Sequence, residues 1–417
     1  MRLTIPKKMV GYLWRIFLII ATVLVLALSF LAVTSPLPNT KVVIAVPKQI
    51  RFAGSIPAMP WPETGEAAVS VPGIGFTEQS PIQTPVPIAS VTKMMTAYII
   101  LKDHPLTPGA TGPELRMTQQ DAYRFGTDTS FDESSVFVAP GELLSEYQLL
   151  EALLVPSANN IAWTLARWDS GSVARFVVKM NAWARELGMN STHYAGPSGF
   201  NPASVSTPAD QLKLAAVVMA NPVFRSIVNM QSVNLPIAGV VSNYNPLLGI
   251  DGIVGVKSGF TPQANGCLVA AADTSVGGVQ ETAMAAAFGQ PGWLPLRTAA
   301  NADQALIDKL KASLETVHVI GKGAVVARML VPWKSTPVLL HAGKEVSLVA
   351  LPGMSVELSK SALLTHEGLT HEGVTHRKLE DIPTLHVGLG EQEYSLSLYD
   401  NHPLTAPSFL WRLNRFW

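Results

Sequence analysis

From residue 16 to residue 33 the chain carries no charged side chain, and only Thr22 and Ser29 interrupt an otherwise apolar run. A stretch of that length has one stable form in hydrocarbon, a helix, because lipid offers no partner to an unsatisfied N–H or C=O. Arg2, Lys7, Lys8 and Arg15 precede the run and little positive charge follows it. That asymmetry predicts an N-terminus in the cytoplasm and everything beyond about Ser35 on the outer side of a membrane. A cleaved signal peptide is the rival reading. The run is longer than the usual apolar core of a signal, however, and Ala32-Val33-Thr34 makes a poor cleavage site. The expectation is a cytoplasmic stretch at 1–15 and an uncleaved transmembrane anchor at 16–34.

A chain of 417 residues has room beyond the anchor for two domains. Lys+Arg and Asp+Glu balance at 30 each, which argues against a polyanion-binding surface, so no nucleic acid partner is expected. Cys267 is the single cysteine, so neither an intramolecular disulfide nor a cysteine-rich zinc site is possible. Pro36, Pro38, Pro47, Pro57, Pro60 and Pro62 punctuate a stretch without helical period, which reads as an extended linker at 35–62. Past it, 67–71 and 76–80 flank Pro72-Gly73-Ile74-Gly75 as a hairpin. Helical periodicity appears at 90–102, 143–154, 159–168, 173–187, 210–220 and 299–314. Strand patterns occupy 253–256, 266–272 and 282–288.

From about Val317 the pattern changes to short alternating runs at 317–320, 324–331, 338–341, 346–350, 356–358, 385–387 and 394–398, the mark of a separate all-β domain. The fold class expected is therefore α+β. A first domain at 63–314 has a mainly antiparallel sheet covered by helices, and a smaller β-rich domain follows at 315–402. The tail, 403–417, carries Phe409, Leu410, Trp411, Leu413, Phe416 and Trp417 with Arg412 and Arg415, a composition suited to a membrane interface. A near-repeat, Thr365-His366-Glu367-Gly368 and Thr370-His371-Glu372-Gly373 with Thr375-His376, spaces its histidines five apart. Residues so spaced share neither a helix face nor a strand face, which favours a duplicated solvated loop over a metal site.

Three short clusters carry the chemistry: Ser90-Val91-Thr92-Lys93, Ser157-Ala158-Asn159 and Lys257-Ser258-Gly259. A serine hydroxyl is a weak nucleophile until a base removes its proton, and lysine serves only with a neutral amine. Ser90 and Lys93 at helical spacing share a face. Burial lowers a lysine pKa and a second cation, for which Lys257 is the candidate, lowers it further. The amide of Ser90, at a helix start, is one oxyanion donor; the backbone of Phe260 is the candidate for the second. Ser157 can bridge Lys93 and Lys257 and relay a proton to a leaving amine, and the Asn159 amide can hold a substrate carbonyl. Lys257 with the Ser258 hydroxyl forms a clamp for a substrate carboxylate, while Gly259 lets a substrate backbone approach closely. A scissile bond beside a free C-terminal carboxylate means carboxypeptidase chemistry. Each cluster alone is commonplace; their joint occurrence at a helix start, an interhelical loop and a hairpin strand is what points to a site.

With these motifs in place the sequence resembles the penicillin-binding D-alanyl-D-alanine carboxypeptidases of low molecular mass. The resemblance takes in the segment from Ile88 to Tyr98, then Pro140-Gly141-Glu142 and Leu153-Leu154-Val155-Pro156-Ser157-Ala158-Asn159-Asn160. Further on come Leu187-Gly188-Met189, Pro197-Ser198-Gly199 and the segment from Asp251 to Thr261. It covers about 63–314 and implies a β-lactamase/transpeptidase-like domain with a helical subdomain. By position it implies Ser90 as the acylated nucleophile, Lys93 as its base, Ser157 and Asn159 as the second motif, and Lys257, Ser258 and Gly259 as the third. It implies peptidoglycan stem peptides ending in D-Ala-D-Ala as substrates, β-lactams as covalent inhibitors, no cofactor or metal, and a bacterial cell membrane location with the catalytic domain outside the cytoplasm. Two departures stand out. Ser258 occupies a position that is usually threonine, keeping the hydroxyl and losing the methyl, and the anchor lies at the N-terminus where the family tends to carry a C-terminal one.

Rival readings remain open on the residues alone. A class A β-lactamase needs a further glutamate, and between Asn159 and Lys257 the acids Asp169, Glu186, Asp210 and Asp251 offer no suitable context. A D,D-endopeptidase acting on crosslinked peptidoglycan would use the same residues, and a catalytically silent, membrane-anchored cell-wall scaffold would retain them as structure.

Overall fold

The computed structural model describes residues 7–38, 40–131, 133–360, 384–401 and 404–415; the histidine repeat, Phe416 and Trp417 lie outside the described residues. At its centre is a five-stranded antiparallel sheet in the order Ile253–Thr261, Asn265–Val276, Val279–Gln290, Glu66–Val71, Phe76–Gln79. Its strands are rich in alanine because both faces are covered and successive side chains point to opposite sides. Val269, Ala271, Met284 and Ala286 join one core, and Leu268, Ala270, Ala283 and Ala285 join the other. The helix Pro295–Ser313 lies on the second face through Ala299, Leu306 and Leu310. The helix Pro208–Met219 covers the first.

Beyond Pro208–Met219 sits the helix Lys93–Asp103, in which Met94, Met95, Ala97, Ile99 and Ile100 are all fully buried. A helix apolar on every side must be surrounded, and here Glu146–Leu154, Asn159–Ser170, Val173–Glu186 and Pro208–Met219 pack around it. The mixed α+β architecture expected from the sequence is what the chain adopts, with a strand-rich C-terminal region.

Several local expectations are corrected. The helix expected from Ser90 opens as a 3-10 turn, Ala89–Thr92, and becomes α-helical only at Lys93. The helix expected over 143–154 starts three residues late, because Leu143–Ser145 pairs with Glu114–Arg116. Ser145 then caps Glu146–Leu154 by accepting from Gln148 N, while its own amide donates to the Gln148 side chain. The helices Gln119–Ser130 and Pro222–Val228 and the hairpin Ser232–Leu235 with Gly239–Ser242 were not expected.

The largest correction concerns 35–62. Lys41–Ile44 pairs with Val325–Leu330 and Gln49–Arg51 with Ser355–Lys360, so the stretch read as a linker supplies edge strands to two four-stranded C-terminal sheets. Val42, Val43 and Ile44 are good strand formers, and the prolines fall outside the paired residues, at sites where no ladder N–H is needed. The C-terminal strands are fastened to the central sheet's corner: Glu391 N donates to Gly73 O at 3.0 Å, and Gln392 Nε2 to Glu281 Oε1 at 3.1 Å.

Among the described residues one helix, Lys7–Thr34, is long and apolar enough to cross a membrane. Its C-terminal end is met by the short helix Phe409–Asn414. Arg412 donates to Val33 O at 2.9 Å, and Arg415 to Pro36 O at 2.8 Å and Ser35 O at 3.0 Å.

Asp303, on the inner face of Pro295–Ser313, is fully buried and neither carboxyl oxygen has a hydrogen-bond partner. Burial therefore pushes its pKa well above the usual carboxylate range. A raised folded pKa means that stability is fullest below the unfolded value and is lost as pH rises toward the folded one. Asp303→Leu is expected to stabilise the protein by about 1–3 kcal/mol at neutral pH, with an advantage that shrinks toward pH 4. Thermal melts of both chains across that range check the sign and the trend.

Candidate active site

The three clusters converge on the buried amine of Lys93. Its Nζ donates to Ser90 Oγ at 2.8 Å, Asn159 Oδ1 at 2.5 Å and Ser198 O at 2.9 Å, which uses all three donors of an ammonium. Ser90 sits in the 3-10 turn, one residue after Ala89, whose φ of 45° lies in the left-handed region. That strained turn aims the hydroxyl out of the helix mouth while Lys93, on the first α-helical turn behind it, stays fully buried.

Ile253–Thr261 is an edge strand of the central sheet, bonded on one side only, to Asn265–Val276. Its residues 257–259 border the nucleophile turn. A Cβ placed on Gly259 would stand 2.7 Å from Ser90 N and 3.1 Å from Ile88 O, so glycine is required for the strand to pass. Gly199, with φ +84°, is constrained likewise: a Cβ there would meet Ala89 O at 1.8 Å. The Pro197-Ser198-Gly199 turn also accepts from Thr96 Oγ1 through Pro197 O at 2.7 Å, locking it to the nucleophile helix.

Burial and then the neighbouring Lys257 push the Lys93 pKa well below that of a free lysine, while Glu133 and Asp128 act in the opposite sense. Lys257 is itself 2% exposed, and burial lowers its pKa to about 7. Lys257 Nζ donates to Ser258 O at 3.0 Å. Both amines are thus biased toward the neutral form, the form in which a lysine can serve as a base, and Lys257, with its pKa at about 7, stays partly protonated near neutral pH.

A model of the D-alanyl-D-alanine carboxypeptidase family, of the peptidase S11 class, matches residues 77–287 and so takes in all three clusters. The chain belongs to this family. It is 33% identical over 200 residues to the D-alanyl-D-alanine carboxypeptidase of Streptomyces sp. strain K15, covering 44% of this chain and 67% of that one. It is 37% identical over 132 residues to the D-alanyl-D-alanine endopeptidase of Haemophilus influenzae, covering 31% of this chain and 41% of the relative. The crystal structure of the D-alanyl-D-alanine carboxypeptidase DacD from Francisella tularensis superposes with a TM-score of 0.57 over 83% of this chain and 95% of its own, at 18% identity, a likeness of fold alone.

Against this serine-peptidase framework the expected contacts divide. Ser90, Lys93 and Asn159 are joined by hydrogen bonds, with Gly259 in contact beside them. Ser157, expected to bridge the two lysines, makes neither bond: its Oγ is buried without a partner, and its φ is +62°. Lys93 turns to Asn159 and Ser198 instead. Ser258 is buried, while Phe260 is half exposed at the strand's cleft end. Two contributors were not anticipated in these roles. The Ser198 carbonyl acts through backbone, which leaves no side-chain signature. Glu133, whose Oε2 accepts from Asn159 Nδ2 at 2.6 Å, lies before Ser157, outside the interval in which a further acid was sought.

Gly259→Ala is expected to displace the strand from the Ser90 amide, lowering the thermal midpoint and reducing the acylation rate of the still-folded protein by a β-lactam at least about 100-fold. Stopped-flow acylation alongside a melting curve separates the two.

Proposed function

We propose that the chain is a membrane-anchored serine D,D-carboxypeptidase that removes the terminal D-Ala from peptidoglycan stem peptides through an acyl-enzyme on Ser90. The observation that carries this reading is the 2.8 Å hydrogen bond from the fully buried Lys93 amine to Ser90 Oγ, with Lys257 beside it. Neutral Lys93 accepts the hydroxyl proton as Ser90 Oγ attacks the penultimate carbonyl. The oxyanion is held by the amides of Ser90 and Phe260. Ser157, whose free hydroxyl lies at the second motif, passes the proton to the departing D-alanine amine, and water then releases the shortened peptide. Charged Lys257 and the Ser258 hydroxyl hold the terminal carboxylate; Asn159 holds a substrate carbonyl; Gly259 leaves room for the substrate backbone along the edge strand. A β-lactam enters the same path as an acyl donor.

The division of labour follows: residues 63–314 perform catalysis, and the strand-rich region with its N-terminal edge strands carries that domain above the anchor. Lys7, Lys8 and Arg15, at the N-terminal end of the helix and ahead of its uncharged run, support an N-terminus inside and a catalytic domain outside the cytoplasm. The Haemophilus endopeptidase relative favours one second reading, cleavage of D,D-crosslinks by the same residues.

The test is incubation of the detergent-solubilised full chain, wild type and Ser90→Ala, with a fluorescent penicillin, a D-Ala-D-Ala pentapeptide and crosslinked muropeptides. Label and released D-alanine that both vanish in Ser90→Ala are expected; muropeptide cleavage without D-alanine release from the pentapeptide would select the endopeptidase, and absence of label would overturn the assignment. In addition, because only protonated Lys257 attracts a carboxylate and its pKa lies at about 7, kcat/KM for the pentapeptide should fall by about tenfold per pH unit above that value. A pH series on an amide-capped peptide should lack this alkaline limb.

A further inference from the structure

We propose that Glu133 is a positioning residue of this reaction: from the segment that follows the Gln119–Ser130 helix, its carboxylate orients the Asn159 amide and supplies the negative charge that faces the Lys93 amine. The proposal rests on the reading of Ser90 and Lys93 as nucleophile and base. Asn159 accepts from Lys93 Nζ through Oδ1 at 2.5 Å and donates through Nδ2 to Glu133 Oε2 at 2.6 Å. A flipped amide would set its N–H against the N–H donors of Lys93 and its oxygen against a carboxylate, so the two partners together admit one orientation. One Nδ2 hydrogen is spent on Glu133 and the other is left for a substrate carbonyl.

The segment bearing Glu133 is built onto the second motif and not merely adjacent to it. Ser134 O accepts from Asn159 N at 2.7 Å, and the Asn160 side chain bonds both ways to Val136, donating to its carbonyl at 2.8 Å and accepting from its amide at 3.2 Å. Glu133 N donates to Asp128 O at 2.9 Å, which ties the segment to the preceding helix. The carboxylate therefore arrives at Asn159 on a fixed backbone.

Three charged groups set the charge balance around Lys93. Lys257 approaches from the edge strand, Glu133 from this segment and Asp128 from the end of Gln119–Ser130; Asn159 and Ser198 add only neutral polar contacts. Arg124 pairs with Asp128 at 2.7 Å. Glu133 has no such ion pair among the described residues; Asp128, Arg124 and Lys93 are the charges that act on it, and Asn159 is the side chain that links it to the lysine. Burial and Lys257 drive the lysine toward neutrality, and Glu133 opposes them. A base that is neutral but still proton-hungry is what hydroxyl activation needs, and an amine depleted too far would be a poor proton acceptor. Burial likewise raises the pKa of Glu133 itself, against the lowering effect of its bond from Asn159.

The test is the pH profile of Ser90 acylation by a fluorescent penicillin, measured on the full chain in detergent for wild type, Glu133→Gln and Glu133→Ala. Glutamine keeps an acceptor for Asn159 and removes the charge, so its acidic limb should move to lower pH by about one unit with the plateau rate largely kept. Alanine removes both, so the same displacement should be accompanied by a plateau about tenfold lower. The limb's position is a property of the molecules that react, and loss of folded protein does not move it. Limbs that superimpose on the wild type, or an alanine plateau equal to that of wild type, would overturn the proposal. A wild-type chain that is not labelled at Ser90 at all would overturn the parent reading and this one with it.

Discussion

An amine buried without a counter-ion in contact is the constraint on which the rest of this structure depends. Lys93 has no carboxylate within ion-pair distance among the described residues, so its three hydrogen bonds must come from neutral oxygens at fixed positions. Each oxygen belongs to a different part of the chain: the turn before the helix, the first residue of the helix Asn159–Ser170, and the Pro197-Ser198-Gly199 turn. Folding the helical subdomain and assembling the site are consequently the same event. Removing any one acceptor would leave a buried donor unsatisfied, which costs more than the bond itself contributes.

The sheet supplies the second requirement, a backbone edge that can stand beside Ser90 without moving. Alternation of small side chains on Asn265–Val276 and Val279–Gln290 gives two cores separated by one layer of backbone, so the edge strand is held from both faces. Gly259 and Gly199 both pass so close to the nucleophile turn, where Ala89 has a positive φ, that neither has room for a Cβ.

How much of this could be read in advance depended on whether the signal was local. Ser90 and Lys93 are neighbours in any helical conformation, and the hairpin that carries Lys257 announces itself by alternation, so both were legible. The Ser157 bridge was inferred from proximity of motifs, and the structure shows that the second motif is joined to Lys93 through Asn159 instead. Glu133 was missed because its partner is 26 positions away and the connecting segment has no period to place it. The late start of Glu146–Leu154 was, by contrast, encoded: Ser145 and Gln148 stand at capping-box spacing, and apolar periodicity at Leu143 and Leu144 outweighed it. The prolines at 35–62 mask a strand of four residues that fits between them, and its pairing partner lies far along the chain, at 327–330.

That pairing changes how closely the folded part follows the apolar helix. Six positions, 35–40, separate the end of the apolar helix at Thr34 from the strand that begins at Lys41, a reach of about 20 Å at full extension. Arg412 and Arg415 take up carbonyls at that same junction, shortening the free length still further. A leash of random coil would let its cargo explore a sphere; this junction works more like a short mast. Were the apolar helix to span a membrane, so short a junction would keep the strands that begin at Lys41 close to the point where the helix leaves it.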